Sequence, residues 1–197
     1  MEMRDEAVHV IATGERVILR DAVASEVESV LRWKCGGEWR KYDAPWEIGP
    51  PPTTEEAKRK FRQRFFENLS KGLPVPRDRA TIVTRENKPL GWVNRYGGKK
   101  FPQTWSVGIN ICEDECLNKG YGTEALGLWV DYLFSNSEVH RIDLGTYSFN
   151  PRMIRVAEKL GFIHEGTERE VINWQGEWVD RLCYGILRKE WEERRKG

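Results

Sequence analysis

The chain of 197 residues lacks a surplus of either charge: 32 Lys and Arg stand against 31 Asp and Glu, a formal net charge of +1. A one-sided basic excess is the compositional footprint of nucleic-acid and anionic-membrane binders, so neither partner is expected. No apolar run approaches the roughly 18 residues that a bilayer-spanning helix needs. The opening MEMRDEAVHV has neither a basic leader nor an apolar stretch, and no signal peptide is expected from it. Cysteine is sparse too. Cys35, Cys112, Cys116 and Cys183 are too few and too scattered for a disulfide scaffold in a chain this long. No second Cys or His pair joins Cys112 and Cys116, and His9, His140 and His164 are isolated, so no metal is expected. The thiols read as reduced and mostly buried, in a cytoplasmic protein.

What is present describes a globular domain: 39% hydrophobic and 32% charged residues, with nine Trp. No linker, repeat or low-complexity block divides it, so residues 1–197 read as one domain, 1–12 being a flexible N-terminal stretch. Alternation in Glu15 to Val23 predicts a strand, and Val27, Val30 and Leu31 predict a helix over Ala24 to Trp33. Lys34 to Thr53 is irregular yet aromatic. Thr54 and the following Glu pair open a helix to about Leu73, with Ala57, Phe61, Phe65 and Leu69 on one face and the KRKFRQR charges solvated around it. Three strands follow, Ala80 to Thr84, Leu90 to Tyr96 and Thr104 to Ile111, separated by turns at Asn87-Lys88-Pro89 and Gly97-Gly98. Such short links imply an antiparallel meander. A glycine-bearing loop then enters a helix carrying Leu126, Trp129, Val130, Leu133 and Phe134. A strand from His140 to Phe149, a helix from Asn150-Pro151 to Gly161 and a final hairpin turning at Gln175-Gly176 complete an α+β (mixed α/β) chain.

The stretch WSVGINICEDECLNKGYGTEAL is the most informative. Gly120 and Gly122 permit a tight bend, after which the first N–H groups of the helix point outward at the positive end of its dipole. That arrangement suits an anion such as a pyrophosphate, with Lys119 as an added charge; it is equally a tight strand-to-helix turn without a ligand. The spacing matches neither the dinucleotide fingerprint nor the P-loop.

Asn118-Lys119-Gly120-Tyr121-Gly122-Thr123-Glu124-Ala125 resembles the coenzyme A pyrophosphate loop of the GNAT superfamily of N-acetyltransferases, in its RimJ/RimL-like branch. Glu15 to Asp21 resembles that branch's first strand, Val107 to Ile111 its fourth, and Asn150-Pro151-Arg152 through Glu158-Lys159-Leu160-Gly161-Phe162 its N…EKLGF helix, followed by Glu165-Gly166 and Arg169-Glu170. The segments come in the family's order and leave out only Lys34 to Thr53. The resemblance implies a mostly antiparallel sheet splayed between its fourth and fifth strands and flanked by helices, with acetyl-CoA as co-substrate hydrogen-bonded into the splay. It implies backbone contacts from Asn110, Ile111 and Cys112, a pyrophosphate cradle from Leu117, Asn118, Lys119, Gly120, Tyr121, Gly122 and Thr123, and a cofactor contact from Asn150. Asn150 is equally apt as the N-cap of its helix, and the two roles can coexist. Arg155, one turn on, reaches toward the nucleotide or is simply solvated.

The sequence departs from that family where acid–base chemistry is concerned. Ala157 stands where many members have Tyr, Met153 where RimL-like members often have Ser, and Ile172 where some have a Glu base. Leu117 replaces the usual Gln or Arg. Tyr147 is then the nearest candidate acid, as against a half-buried strand tyrosine, and a CoA thiolate can also leave unassisted. Glu113 ranks first as base, ahead of Asp114, Glu115, Glu170 and Asp180. Substrate selection falls to the irregular segment, where Trp39, Tyr42, Asp43 and Trp46 offer aromatic faces and a carboxylate to a cationic amine, or merely pack the loop. The implied activity is acetyl transfer to a small-molecule or peptide amine: a protein N-terminus, a polyamine, an aminoglycoside or another small amine. Another acyl-CoA donor or a non-catalytic CoA-binding sensor are the alternatives. Family members are commonly dimers, so a homodimer is the expected assembly.

Overall fold

The computed structural model describes residues 8–97 and 101–196. Its strands are β1 (Val10–Thr13), β2 (Val17–Arg20), β3 (Arg79–Thr84), β4 (Pro89–Gly97), β5 (Thr104–Ile111), β6 (Arg141–Tyr147), β7 (Ile163–Trp174) and β8 (Glu177–Leu187). They form one sheet in the order β1-β2-β3-β4-β5-β6-β8-β7. Neighbours are antiparallel except β5 and β6, which run parallel. A parallel pair needs a crossover, and here it is α3 (Tyr121–Ser135). The remaining helices are α1 (Val27–Cys35), α2 (Glu55–Leu69), α4 (Pro151–Leu160) and α5 (Arg188–Arg194).

Val10–Thr13 overturns the expectation of a flexible stretch through residue 12, because it pairs with β2; residues 1–7 lie outside the described residues. The expected Gly97-Gly98 turn lies partly outside them as well. The α2 helix begins where Thr54 caps Ala57 N–H, but it stops at Leu69, short of Leu73. The hairpin strands β7 and β8 run closer to the Gln175-Gly176 turn than the expected Phe162 to Val171 and Arg181 to Leu187, and α5 was not anticipated. Its Trp191 is buried and donates to Asp131 Oδ1 on α3 at 2.7 Å, which holds the C-terminal helix against the core.

The apolar stripe of α3 explains its position. Leu126, Trp129, Val130 and Leu133 are fully buried and pack on Val17, Leu19, Val93, Val107 and Ile142 of the sheet. A fully buried side chain of this size contributes about 1.5–3 kcal/mol of burial free energy. A smaller cluster on the other side of β4 joins Trp92 to Trp33, Trp39 and Cys112. Trp39 meets Trp92 edge-on, with ring centroids 5.2 Å apart. That cluster seats the irregular segment of residues 34–53 against the sheet, and so beside the splay.

Candidate active site

The parallel pairing of β5 and β6 lasts only for Thr104–Ser106 against Arg141–Asp143. Beyond it the strands part while each stays paired to its outer neighbour. Backbone groups along a strand point alternately to either side. Cys112 N–H bonds Leu90 C=O on β4 at 2.7 Å. Asn110 C=O also faces β4, so closely that a Cβ on Gly91 would lie 1.9 Å from it. Gly91, at φ +158, is therefore a position where the backbones need glycine. By alternation the groups of Val107, Ile109 and Ile111 face the gap that β6 has left. An extended ligand arm laid there would find a row of donors and acceptors.

The gap widens into a cleft of about 540 Å³, whose walls include Tyr42, Asp43, Asn110, Gly122, Tyr147 and Asn150. At one end stands the N-terminus of α3. Asn118 and Gly120 both adopt left-handed backbone, at φ +60 and +88, and so turn the chain from β5 into the helix. Tyr121, Gly122 and Thr123 occupy the first turn, where N–H groups have no partner within the helix. Glu124 anchors this end by accepting from Arg16 N–H at 2.8 Å, and Arg16 Nη1 donates to Lys119 C=O at 2.9 Å. Arg155 and Lys159 on α4, both exposed, add positive charge to the same wall. The donor set is that of an anion site continuous with a strand-like groove.

Asn110, Ile111, Leu117, Asn118, Gly120, Gly122, Thr123, Asn150 and Arg155 all line the cleft, as do Trp39, Tyr42, Asp43 and Tyr147. Asn150 caps α4, accepting from Met153 N–H at 3.1 Å, and its amide donates to Tyr42 C=O at 3.4 Å. Tyr42 packs beside Phe149 and under the Arg152 guanidinium, 4.7 Å from the ring centre. Tyr147 stacks on Phe149 with centroids 5.9 Å apart, and burial, aided by the charge of Glu47, pushes its hydroxyl above the ordinary tyrosine range. Asp43 is also raised by burial, against the opposing effects of a hydrogen bond from Asn110 and the charge of Lys34.

Several sequence-based expectations are corrected. Glu113 does not line the cleft. It is buried on the other side of its turn, where Arg32 Nη2 at 2.5 Å and Trp33 Nε1 at 2.7 Å hold its carboxylate against α1. Asp114 accepts from Glu38 N–H at 2.9 Å, Glu115 pairs with Lys88 at 2.8 Å and Asp180 accepts from Glu170 N–H at 2.8 Å. None of these four (Asp114, Glu115, Glu170, Asp180) lines the cleft either. Asn110 and Cys112 turn their backbone groups to β4 rather than to the gap, so Ile109 stands beside Ile111 where they were expected, and Cys112 belongs to the tryptophan cluster. Burial drives its thiol upward. Trp46 stands behind the wall, edge-on to Tyr147 at 4.7 Å and to Trp174 at 5.5 Å. Lys119 and Tyr121 are likewise outside the lining, Tyr121 packing partly against the core.

Sequence reasoning missed Asn94 and Tyr96 of β4, Thr146 of β6 and Arg181 of β8, which all face the cleft. The strand alternation that singles out Ile109 was readable; the convergence of four strands on one opening was not.

A parallel-strand splay ending on a helix N-terminus defines a transferase-like cleft for an extended, anion-bearing co-substrate. The family profile for the acetyltransferase (GNAT) domain matches residues 16–163, and the chain belongs to that family. It is 35% identical over 114 residues to the SPbeta prophage-derived uncharacterized N-acetyltransferase YokL of Bacillus subtilis, a match spanning 58% of this chain and 64% of that one. Among solved structures, a GNAT-family acetyltransferase from Bacillus anthracis superposes with a TM-score of 0.69 at 25% identity, covering 90% of this chain and 98% of the other. The spermidine N-acetyltransferase of Vibrio cholerae, in complex with CoA and spermine, shares the fold at a TM-score of 0.69 and 18% identity, over 91% of this chain and 99% of its own.

Proposed function

We propose that this protein transfers an acetyl group from acetyl-CoA to a primary amine by direct attack of the amine on the thioester. One observation carries the reading: the unpaired backbone edge of Val107, Ile109 and Ile111 runs straight to the first turn of α3. That combination suits a molecule with an amide-bearing arm and a pyrophosphate, which is the shape of CoA. Beyond the helix terminus a second cavity of about 550 Å³ begins at Gly120 and Thr123, with Arg16 and Arg194 on its rim and Leu128 and Trp191 on its floor. It offers room and positive charge for a nucleotide end.

When bound, the co-substrate supplies an activated acetyl group. The chain's own work is to hold the arm in the groove, to present an amine to it and to manage protons. Bringing the two reactants together is worth a large share of the acceleration. Tyr147 keeps its proton at neutral pH and faces the cleft, so it is the residue able to protonate a departing thiolate. Ala157 is fully buried and Met153 is aliphatic, and neither can do so. The acceptor end combines Tyr42 with the carboxylates of Asp43 and Glu47, chemistry that favours a cation. The spermine complex of the Vibrio cholerae enzyme supports an acceptor of that kind.

The loss of the family's usual acid positions also favours a second reading, a CoA-binding sensor without turnover. One experiment separates the two. Acetyl-CoA should raise the thermal midpoint, and thiol release should follow when a primary amine is added. Stabilisation without release on any amine supports the sensor, and no stabilisation by CoA or acetyl-CoA overturns both readings.

A further inference from the structure

The cleft takes in one cation from β8, on the far side of β6 from the gap: Arg181, which has no part in the chemistry above. Strand register sets it opposite Tyr147 of β6 and opposite Glu168 of β7, so the three side chains share one face of the sheet. Arg181 Nη1 donates to Glu168 Oε1 at 3.0 Å and to Cys183 Sγ at 3.6 Å. Its Nε and Nη2 make no hydrogen bond among the described residues. That edge of the guanidinium lies over Gly145, a residue of the cleft wall, where an added Cβ would stand 3.1 Å from Nη2 and 3.3 Å from Nε. A side chain at 145 would crowd the edge, and glycine leaves it open. An arginine anchored through Nη1 and open along Nε and Nη2 presents the two parallel donors that a carboxylate accepts.

We propose that Arg181 binds a carboxylate of the acceptor, so that the substrate is a small amino acid in the broad sense: one molecule carrying both the amine to be acetylated and a carboxylate. This rests on the acetyl-transfer reading above. The cleft already holds carboxylates that suit an ammonium, Asp43 and Glu47, both from the irregular segment of residues 34–53. Arg181 adds the opposite charge from a different part of the sheet, and a zwitterion finds a partner for each of its ends. A polyamine fits less well. Every one of its charged groups is a cation, Arg181 repels it, and the Tyr42 ring already carries the Arg152 guanidinium at 4.7 Å. Glu168 shares the charge of Arg181, which suits the open edge to a singly charged carboxylate rather than to a phosphate dianion. Tyr147 is the cross-strand neighbour of Arg181, so an acceptor held by its carboxylate lies beside the proposed acid.

The test measures kcat and KM with acetyl-CoA for glycine, β-alanine, γ-aminobutyrate and ε-aminohexanoate, each beside its own carboxamide, with spermidine and O-phosphoethanolamine as further acceptors. Each KM is corrected for the fraction of neutral amine. In wild type at least one acid should exceed its carboxamide in kcat/KM by about 10-fold or more, the scale of a charge-assisted bidentate pair. Arg181→Gln should raise the KM of that acid by about 10-fold or more and leave that of the carboxamide within a factor of about two. Glu168→Gln, which removes only the partner of Nη1, should not weaken the acid. Stabilisation by CoA should survive in both variants. The proposal is overturned if no acid exceeds its carboxamide in wild type, if spermidine or O-phosphoethanolamine exceeds every acid, or if Arg181→Gln moves acid and carboxamide equally. Each of those outcomes leaves acetyl transfer itself standing. Wild type that acetylates none of the amines, or that CoA fails to stabilise, refutes the acetyl-transfer reading and the proposal with it.

Discussion

Glu113 and Tyr147 show how little sequence position says about where a side chain goes. Both sit at the ends of strands that border the cleft. Glu113 turns away, because a buried indole N–H and an arginine on α1 need its carboxylate. Leaving such groups unpaired costs about 1–3 kcal/mol, enough to fix its rotamer and withdraw it from chemistry. Tyr147 has no such partner among the described residues, and its ring is set by Phe149 and Trp46 while it lines the opening. Tyr147→Phe keeps that packing and removes only the hydroxyl. Turnover should fall by roughly 10-fold or more while CoA affinity stays within a factor of about two, as is expected when only a proton donor is lost. Steady-state kinetics beside calorimetric titration with CoA check this, and unchanged turnover would return Tyr147 to a packing role.

The elements around the site were largely legible because their signals are local. Asn150-Pro151 opens α4 and Gly161, at φ +81, closes it, each for a reason that belongs to one or two residues. The α3 terminus is of the same kind. Gly122 lies on its first turn without a left-handed backbone, and a Cβ there would stand in ordinary contact, 3.5 Å from the Ile111 side chain. Gly122→Asp should therefore fold and keep its helix, since a carboxylate near a helix N-terminus is favourable. It should lower CoA affinity by about 100-fold or more, through repulsion of a like charge at the anion site. Circular dichroism with a CoA titration tests both halves, and an affinity that survives would remove α3 from the pyrophosphate site. What the local signals could not supply was α5, whose seven residues are held by Trp191 against Asp131 rather than by any pattern of their own.

At the scale of the whole molecule the near-zero net charge has a consequence for acid stability. Near neutrality the charges balance, but as the 31 carboxylates protonate the 32 Lys and Arg are left uncompensated, and the loss of individual ion pairs adds to that repulsion. Arg141 on β6 grips Glu165 on β7 with both guanidinium nitrogens, across the intervening β8. That hydrogen bond, with the nearby charge, holds the Glu165 carboxyl below its usual 4.5. A depressed native value means that the pair stabilises the fold above pH 4.5 and that its contribution is lost as pH falls through the native value. Glu165→Gln should thus lower the urea midpoint at pH 7, and the loss should shrink as pH falls below 4.5 through the native value. A loss that stays the same across the acid range would show that packing, not charge, is what the residue supplies.

The order of elements, the glycine turn into α3 and the family resemblance were all determined by the sequence alone. Each depends on spacing within a few residues, and spacing is what a sequence displays. Of the nine Trp, the sequence placed Trp129 on a helix and Trp39 and Trp46 in the irregular segment, but not what any of them packs against. Tertiary structure decided that Trp33, Trp39 and Trp92 brace the irregular segment, that Trp46 stands behind the wall, and that Trp191 pins α5. It also decided which carboxylate meets the cleft. Asp43 and Asn110 are 67 residues apart in the chain, and no local rule couples them. They line one cleft because the tryptophan cluster seats a loop beside the place where two parallel strands separate, and contact between distant residues is settled only when packing has brought them together.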